Sequence, residues 1–315
     1  MWEAIAQKMP DQWVSLAAPA VVFWAGVLLA WAFAEPGWAR LTQTADWLTA
    51  QSTVVQIIIG LSALTVVGAS VIVVRRITTP VLRLMEGYWP TPMEGLTDRR
   101  RRRIQDRKTA DDKAWQELIG KITKPPAGQE QPGPTARQRE ELARLERRRR
   151  HRPVLDNELL PTRVGNILRA AESRPGHRYG LDAVVAWPRL WLVLPETART
   201  ELAAARAGLD AAVAAAIWGT GFLVVALIPG AWWAVPAGVA VAVAATRWWV
   251  PARAEVFADL IEAAYDLYRG RLYRQLRWPL PTTPAEEHDH GKALTQYLLR
   301  GTDRAHPRFT DHPDL

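Results

Sequence analysis

The sequence predicts an all-α integral membrane protein, with four transmembrane helices in two hairpins and a small helical cytoplasmic module. Hydrophobic residues make up 49% of the 315 residues, although mean hydropathy is slightly negative. Apolar and charged residues must therefore lie in separate blocks. Four blocks are uncharged over about 20 residues each, which is the helix length that crosses a hydrocarbon core of ~30 Å. The net charge of +8 is gathered between the second and third blocks.

The first predicted hairpin occupies residues 1–76. Its first block, Val14–Phe33, contains no charged residue, and neither does the second, Ser52–Val74, which stops at Arg75. Tryptophan is typical of the interface between lipid and water. Tryptophans flank this pair of blocks at Trp13, Trp38 and Trp47.

The second predicted hairpin occupies residues 209–250. Nothing between Asp210 and Arg247 is charged, and this stretch is too long for a single span. Pro229-Gly230 divides it, because proline and glycine favour a turn over a continuous helix. We therefore expect spans over about Ala211–Ile228 and Ala231–Val250.

The distribution of charge predicts the orientation. Residues 75–208 hold 28 basic and 17 acidic residues, whereas the loop at 35–51 holds one basic residue. Cytoplasmic loops are enriched in Lys and Arg, so residues 75–208 and both termini are expected in the cytoplasm of a bacterial cell membrane. The same distribution argues against nucleic-acid binding. Ala32-Phe33-Ala34 leaves signal-peptidase cleavage as an alternative fate for the first block.

The predicted cytoplasmic loop, residues 77–158, begins with a run of five arginines. Such a run close to a membrane attracts anionic headgroups, although it serves equally well as a topology signal. Residues 125–138 are rich in Pro, Gly and Gln, so this segment is predicted to be a disordered linker. A short, very basic helix is expected over 137–150. The candidate contacts for anionic lipid are Arg99, Arg100, Arg101, Arg102 and Arg103.

The predicted helical module, residues 159–208, is the densest apolar segment outside the spans. Thr162 is a candidate N-cap for a helix that Pro175-Gly176 should end. Two further short helices are expected over 181–187 and 189–194, separated by Pro188. Another helix should start at Glu196 and continue into the third span without a break.

The apolar side chains of this module need a partner surface. Exposed tryptophans with an arginine rim are typical of an interaction surface. The candidate residues are Trp187, Arg189, Trp191 and Arg178. The alternative is a closed internal core that neighbouring helices complete.

The last segment, residues 251–315, is predicted to contain an amphipathic cytoplasmic helix at 253–277 that Trp278-Pro279 ends. Its acidic residues come first and its basic residues last, which suits the helix dipole. The remainder is predicted to be a polar tail. Glu286–His290 could supply metal ligands, but these residues are adjacent and lack helical or hairpin spacing, which favours the tail.

Catalytic signatures are missing from the sequence. The chain has no cysteine, no phosphate-binding glycine loop and no G-x-S-x-G element, so we predict no catalytic residue, metal or cofactor. Ion-coupled transport usually needs an ionisable residue within a span, and the spans have none near their centres. Gln56 is the one strongly polar side chain well inside a span, either bonding another helix or lining a pore.

Four segments of the chain carry a resemblance to known sequences, namely Leu84–Pro90 (LMEGYWP), Leu160–Ala171 (LPTRVGNILRAA), Arg178–Leu190 (RYGLDAVVAWPRL) and Leu272–Pro281 (LYRQLRWPLP). Together they resemble an uncharacterised family of bacterial multi-pass membrane proteins that is common in actinobacteria. The resemblance implies the topology and no activity. The layout of four spans around a cytoplasmic region is also similar to that of bestrophin-type anion channels, without their pore motifs.

These observations predict a non-catalytic, membrane-anchored interaction or sensing component. An oligomeric pore with a bestrophin-like layout is the alternative, and an enzyme comes third. The expected partners are the lipid bilayer with its anionic headgroups, a second copy of the chain, or a cytoplasmic protein.

Overall fold

The computed structural model describes residues 13–33, 38–123, 133–228, 231–301 and 307–310. Every regular element among them is helical, which confirms the predicted all-α class. The α-helices are α1 (Trp13–Phe33), α2 (Trp38–Thr49), α3 (Thr53–Glu86), α4 (Glu94–Thr123), α5 (Ala136–Arg150), α6 (Arg163–Tyr179), α7 (Ala183–Val193), α8 (Glu196–Gly221), α9 (Ala234–Ala244), α10 (Val250–Gln275) and α11 (Pro284–Arg300). A 3-10 helix, Phe222–Leu227, follows α8, and a π-helical segment, Ala245–Trp249, joins α9 to α10.

The chain divides into two compact units. The first, here called the apolar unit, comprises Trp2–Arg83 and Ala203–Arg253. The second, here called the charged unit, comprises Leu84–Leu202 and Ala254–Leu315. Each unit is therefore built from two separate stretches of sequence.

The apolar unit has a core of mostly small residues. Phe23 of α1 lies with its ring centroid 4.6 Å from that of Trp218 in α8. The indole nitrogen of Trp24 donates to Ser70 Oγ at 3.0 Å, linking α1 to α3. The buried members fall into two clusters, Ala20, Val71, Val74, Ala214 and Trp218, and Ala30, Val225, Ala231 and Ala234.

Two stretches among the described residues are long and apolar enough to cross a membrane. One lies within Thr53–Thr123 and the other within Glu196–Leu227. The apolar part of the first predicted span, Pro19–Ala32 within α1, is shorter than either of these stretches. The turn predicted at Pro229-Gly230 lies outside the described residues.

The charged unit has a conventional core of large side chains. Trp187 of α7 is 1% exposed and lies with its ring centroid 5.9 Å from that of Tyr265 in α10. The Tyr265 hydroxyl donates to the carbonyl of Ala183 at 3.0 Å, so its buried polar atom is satisfied. Trp278 is buried beside Tyr297 of α11.

The prediction that Pro175-Gly176 ends α6 is wrong. The helix begins at the predicted N-cap, Thr162, whose hydroxyl accepts from the amide of Gly165 at 3.0 Å, and it runs through Pro175 to Tyr179. Gly180 ends it, with a left-handed φ of 68° that glycine adopts without steric cost. The Gly180 amide donates to the Gly176 carbonyl, so the residues at the predicted break instead supply acceptors for the C-terminal cap.

The predicted division of α7 at Pro188 is also wrong. One helix spans Ala183–Val193, and its N-cap Asp182 accepts from the amides of Val184 and Val185. Pro188 is the sixth residue of this helix and has no N–H to donate. The carbonyl that loses its helical partner is therefore that of Val184, in the first turn. Four buried residues on the opposite side hold the helix in place, namely Ala183, Ala186, Trp187 and Leu190.

Part of the predicted linker is helical. Thr135 and Gln138 form a capping box, in which each side chain bonds the backbone amide of the other residue, so α5 begins at Ala136. Residues 136–138 therefore do not belong to a disordered segment. Residues 124–132 lie outside the described part of the chain.

The predicted polar tail contains a packed helix. The Thr283 hydroxyl accepts from the Glu286 amide and starts α11, whose Leu294 is fully buried. Gly291 approaches α6 so closely that a Cβ there would meet the Tyr179 carbonyl oxygen at 1.8 Å. The sequence prediction missed this helix because the segment is mostly polar and the helix buries only a narrow stripe of residues, Gly291 and Leu294.

Candidate functional site

A cleft of about 570 Å³ opens within the charged unit, between α4, α5, α6 and α10. Its volume lies in the range of small-molecule sites, about 300–1,000 Å³. Four acidic side chains line it, Asp112, Glu146, Glu262 and Asp266. Six basic side chains line it, Lys108, Arg149, Arg150, Arg152, Arg174 and Arg178. The lining therefore carries an excess of positive charge.

One side of the cleft holds an ion-pair network that is centred on the buried carboxylate of Glu262. Arg174 of α6 bonds the carboxylate of Glu262 in α10 and the main-chain carbonyl of Arg150. Arg150 in turn lies 3.4 Å from Glu262 and 3.2 Å from Asp259. Glu262 is 5% exposed, and a buried charge is tolerated only when it is paired and hydrogen-bonded. The network therefore joins α5, α6 and α10 at one point.

One wall of the cleft comes from α4. The ammonium of Lys108 donates to Asp156 Oδ1 and to the Val154 carbonyl, both at 2.6 Å, and Gln105 donates to the other carboxylate oxygen at 3.1 Å. The hydrogen bond from Lys108 is the largest cause that lowers the pKa of the Asp156 carboxyl. Lys108 thus ties α4 to the segment that precedes α6.

The second wall is the basic end of α5. Arg149 lies with Nε 2.7 Å from Asp112 of α4, and its guanidinium sits 4.1 Å above the ring centroid of Trp115. Arg152 pairs with Asp111 at 2.7 Å. The Asp112 carboxylate at the edge of the Arg149 guanidinium and the Trp115 ring against its face hold this guanidinium in one orientation.

The rim of the cleft holds its loosest ion pair. Arg178 is half-exposed, and its guanidinium lies 3.6 Å from Asp266, beyond hydrogen-bonding distance. The hydroxyl of Tyr179 donates to the same carboxylate oxygen at 2.5 Å. Burial is the largest cause that raises the pKa of Tyr179, followed by this hydrogen bond, so the phenol remains a donor at neutral pH.

The predicted interaction residues do not form one surface. Trp187 lies in the core, which corresponds to the closed-core alternative for this side chain. Trp191 is half-buried beside it, at 6.0 Å between ring centroids. Arg189 is exposed on α7 and donates to the Val185 carbonyl at 2.9 Å. Only Arg178 lies in the cleft.

The arginines of the run at Arg99–Arg103 are all exposed, on α4. The guanidinium of Arg100 lies 5.2 Å from the ring centroid of Trp89. Exposure of this kind agrees with headgroup contact and with a topology signal alike.

Gln56 has a local role in the apolar unit. Its amide donates to the carbonyls of Leu48 and Gln51, at 3.0 and 3.2 Å. Since these carbonyls lie at and just beyond the C-terminal end of α2, the side chain caps that helix.

The candidate metal ligands at Glu286–His290 lie on α11 and are engaged by protein groups. Glu286 accepts from Thr282, and Glu287 pairs with Arg269 at 2.6 Å. His290 contacts the Pro279 carbonyl at 3.2 Å. Among the described residues, His, Asp and Glu form no group of three placed to hold a metal ion.

Most of the cleft was missed by the sequence prediction, although the sequence contains a signal for it. The acids of α10 recur at helical spacing and so form a stripe on one face, Glu255, Asp259, Glu262 and Asp266. A stripe of four acids opposite a very basic helix predicts that the two helices pair. The sequence prediction relates Glu255, Asp259 and Glu262 only to the helix dipole, whose effect is confined to the first turn.

No family model, curated protein or solved structure matches this chain. The likeness in layout to bestrophin-type channels therefore stays a prediction. The residues themselves carry the functional argument.

Proposed function

We propose that this protein is a multi-pass component of a bacterial cell membrane that works by non-catalytic interaction or sensing. Four helices would cross the membrane, with the charged unit and both termini in the cytoplasm. The charged unit would receive a ligand or partner in its cleft.

The observation that carries this proposal is the cleft itself. Six cationic side chains from α4, α5, α6 and the turn after α5 converge around about 570 Å³. Like charges are costly to hold together in a partly buried place, and such a set of guanidinium and ammonium groups suits recognition of an anion.

Two observations support the membrane part of the proposal. The apolar unit exposes large aliphatic side chains along α3, including Val54, Ile58, Leu61 and Leu64. Contiguous exposed apolar surface of this kind is typical of contact with lipid. The concentration of basic residues in 75–208 supports a cytoplasmic charged unit.

The pore alternative has less support. Its sequence argument combined a bestrophin-like layout with Gln56, and the amide of this residue caps α2. A side chain that satisfies local carbonyls is a poor candidate for lining a water-filled path.

The topology is tested by cysteine labelling, since the chain has no native cysteine. Thr42→Cys should react with a membrane-impermeant maleimide in intact cells, whereas Gln129→Cys should react only after lysis. The reverse pattern would contradict the orientation, and labelling of both sites in intact cells would contradict the four-span arrangement.

The interaction role is tested by charge reversal in a strain that lacks the gene. Arg178→Glu should fail to restore the deletion phenotype, or capture of a cross-linked partner, while the protein stays abundant in the membrane. Arg189→Glu, an exposed arginine outside the cleft, is the matched control and should restore both. Restoration by Arg178→Glu would remove the support for the cleft as the working site.

A further inference from the structure

We propose that the cleft of the charged unit is a binding site for a phosphate-bearing anion, either a phosphate monoester or a pyrophosphate group. This inference rests on the proposed function, because it names the class of ligand for the same site. Three features of the cleft carry it: the donor capacity of its guanidiniums, the loose attachment of Arg178 and the gathering of six cations around one volume.

The first feature is donor capacity. A guanidinium has five N–H donors in a planar fork, and each ion pair of the cleft arginines uses one or two of them. Arg149 engages Asp112 through Nε and stacks on Trp115, so its two terminal nitrogens remain able to form a fork. Arginine binds phosphate through such forks with two parallel hydrogen bonds.

The second feature is the rim. Asp266 already accepts a short hydrogen bond from Tyr179, and Arg178 stays 3.6 Å from the same carboxylate oxygen. Arg178 therefore loses only a weak ion pair with Asp266 when it turns toward an anion in the cleft. Its side chain is half-exposed, which leaves room for that rotation.

The third feature is charge. Six cations line the cleft, and the acids that pair with three of them from outside the lining are Asp111, Asp156 and Asp259. A doubly charged anion would therefore exchange with carboxylates for these cations. Two of the cations, Lys108 and Arg152, have side chains that are 15% and 18% exposed. Ionic contacts in such partly buried places are screened less by salt than contacts at an open surface.

Phosphate chemistry fits better than a single carboxylate. A phosphate monoester carries nearly two charges and three acceptor oxygens at neutral pH, which matches several forks converging from different helices. A volume of about 570 Å³ exceeds the needs of an inorganic ion, so the phosphate would belong to a larger molecule. That molecule could be soluble or a lipid headgroup, and the site would use the same oxygens in either case.

The test is calorimetric titration of inorganic pyrophosphate into the full chain, held in nanodiscs of zwitterionic phosphatidylcholine. Wild-type protein should bind saturably. The double variant Arg149→Gln/Arg178→Gln should weaken binding at least about tenfold, the effect of losing one charge-assisted contact. Both side chains are at least a third exposed, so the variant should keep its helical circular dichroism.

The control variant is Arg163→Gln/Arg189→Gln, which removes the same charge from exposed positions that do not line the cleft. It should bind pyrophosphate as the wild type does. Equal weakening of pyrophosphate binding in both variants would show that the net charge of the protein, and not the cleft, determines binding, and it would overturn the proposal. A wild type without saturable binding would overturn it as well.

A second arm separates the two sources of phosphate. Phosphatidic acid in the disc should lower the apparent affinity for pyrophosphate if a headgroup reaches the cleft, compared with discs of equal charge made with phosphatidylserine. Equal affinity in both discs assigns the cleft to a soluble phosphate. Either result supports the proposed ligand class, a phosphate-bearing anion.

Failure of this proposal and failure of the proposed function give different results. If Arg178→Glu abolishes function in cells while wild type ignores pyrophosphate, the cleft works with a partner of other chemistry and only the phosphate assignment falls. If wild type binds pyrophosphate but Arg178→Glu restores the phenotype, the site exists and the proposed role falls.

Discussion

The two units of this protein place their apolar side chains in opposite ways. In the apolar unit, large aliphatic residues such as Val22 and Leu64 are exposed, and alanines such as Ala20 and Ala214 are buried. In the charged unit, Trp187 and other large aromatic side chains are buried, and ion pairs lie at the surface. The difference teaches that one chain can follow two packing rules, with large side chains inside one unit and small ones inside the other.

The two units nevertheless share one device, the close approach of helices at glycine. In the apolar unit, a Cβ on Gly219 would meet the Ala242 amide nitrogen at 2.7 Å. In the charged unit, a Cβ on Gly165 would meet the Glu86 carbonyl oxygen at 1.9 Å. Glycine therefore sets helix spacing in both environments, whatever covers the outer face.

The largest expected effect tests the aromatic core of the charged unit. Trp187→Ala should lower the free energy of unfolding of this unit by about 3–5 kcal/mol, because it removes a fully buried ring and leaves a cavity. Denaturant unfolding followed by tryptophan fluorescence measures the loss. Val184→Ala, at an exposed position of the same helix, is the control, and an equal loss there would contradict a core role for Trp187.

The next effect tests whether the apolar unit faces lipid. Leu64 is 68% exposed in α3, and Leu192 is 67% exposed in α7. Leu64→Asp should disfavour membrane insertion by about 2.5–3.5 kcal/mol, the cost of an acid at the centre of a span. Leu192→Asp should change the free energy of unfolding by no more than about 0.5 kcal/mol, because this position is expected to face water.

We would measure membrane insertion of the Leu64→Asp chain with a glycosylation reporter. We would measure the stability of the Leu192→Asp chain by thermal unfolding. Normal insertion of the Leu64→Asp chain would show that α3 is covered by protein or water at this point, and the contrast between the units would be lost.

A smaller effect tests the close approach of α11 to α6. Gly291→Ala places a Cβ against the Tyr179 carbonyl, so the helices must separate, and overpacking of this kind costs about 1–3 kcal/mol. Gly120→Ala is the control in α4, because a Cβ there meets nothing within 4 Å and alanine favours a helix. Thermal melting of both variants should move in opposite directions.

The smallest effect concerns the wall of the cleft. Asp156→Asn removes the charge that Lys108 pairs with, and an ion pair this exposed is worth about 0.2–1 kcal/mol. The pKa of Asp156 is lowered in the fold, so its contribution is present above the ordinary carboxyl pKa of about 4 and is lost as the pH falls through the lowered value. The stability difference between wild type and Asp156→Asn should therefore shrink in acid, and a constant difference would contradict the pairing.

The sequence predicted local starts of helices better than their ends. The Thr162 N-cap is confirmed, and so is the helix that begins at Glu196 and continues without a break into the third apolar block. Pro175 and Pro188 were expected to break helices, but both lie inside helices. A proline costs a helix about 3 kcal/mol, and burial of neighbouring residues such as Leu168 and Leu190 offsets that cost only once the unit is folded.

The candidate site was predictable in part. Arg178 was predicted as part of an arginine rim around Trp187 and Trp191, and it lines the cleft. Lys108, Arg149 and Glu262 were not predicted, because they come from segments 41 to 154 residues apart whose pairing no local pattern encodes. Trp187 was predicted as a contact residue since its size demands burial, but the sequence could not say whether a partner or the unit's own core buries it.

The sequence by itself determined the helical class, the segregation of apolar from charged segments and the positions of several N-caps. These properties depend on composition, periodicity and contacts within four residues, all of which are local. Only the tertiary structure decided that α10 brings its acidic stripe to the basic end of α5, that the last segment folds as α11 against Tyr179, and that six cations surround one cleft. Those outcomes depend on which distant surfaces bury each other, and that choice is made by the free energy of the whole fold.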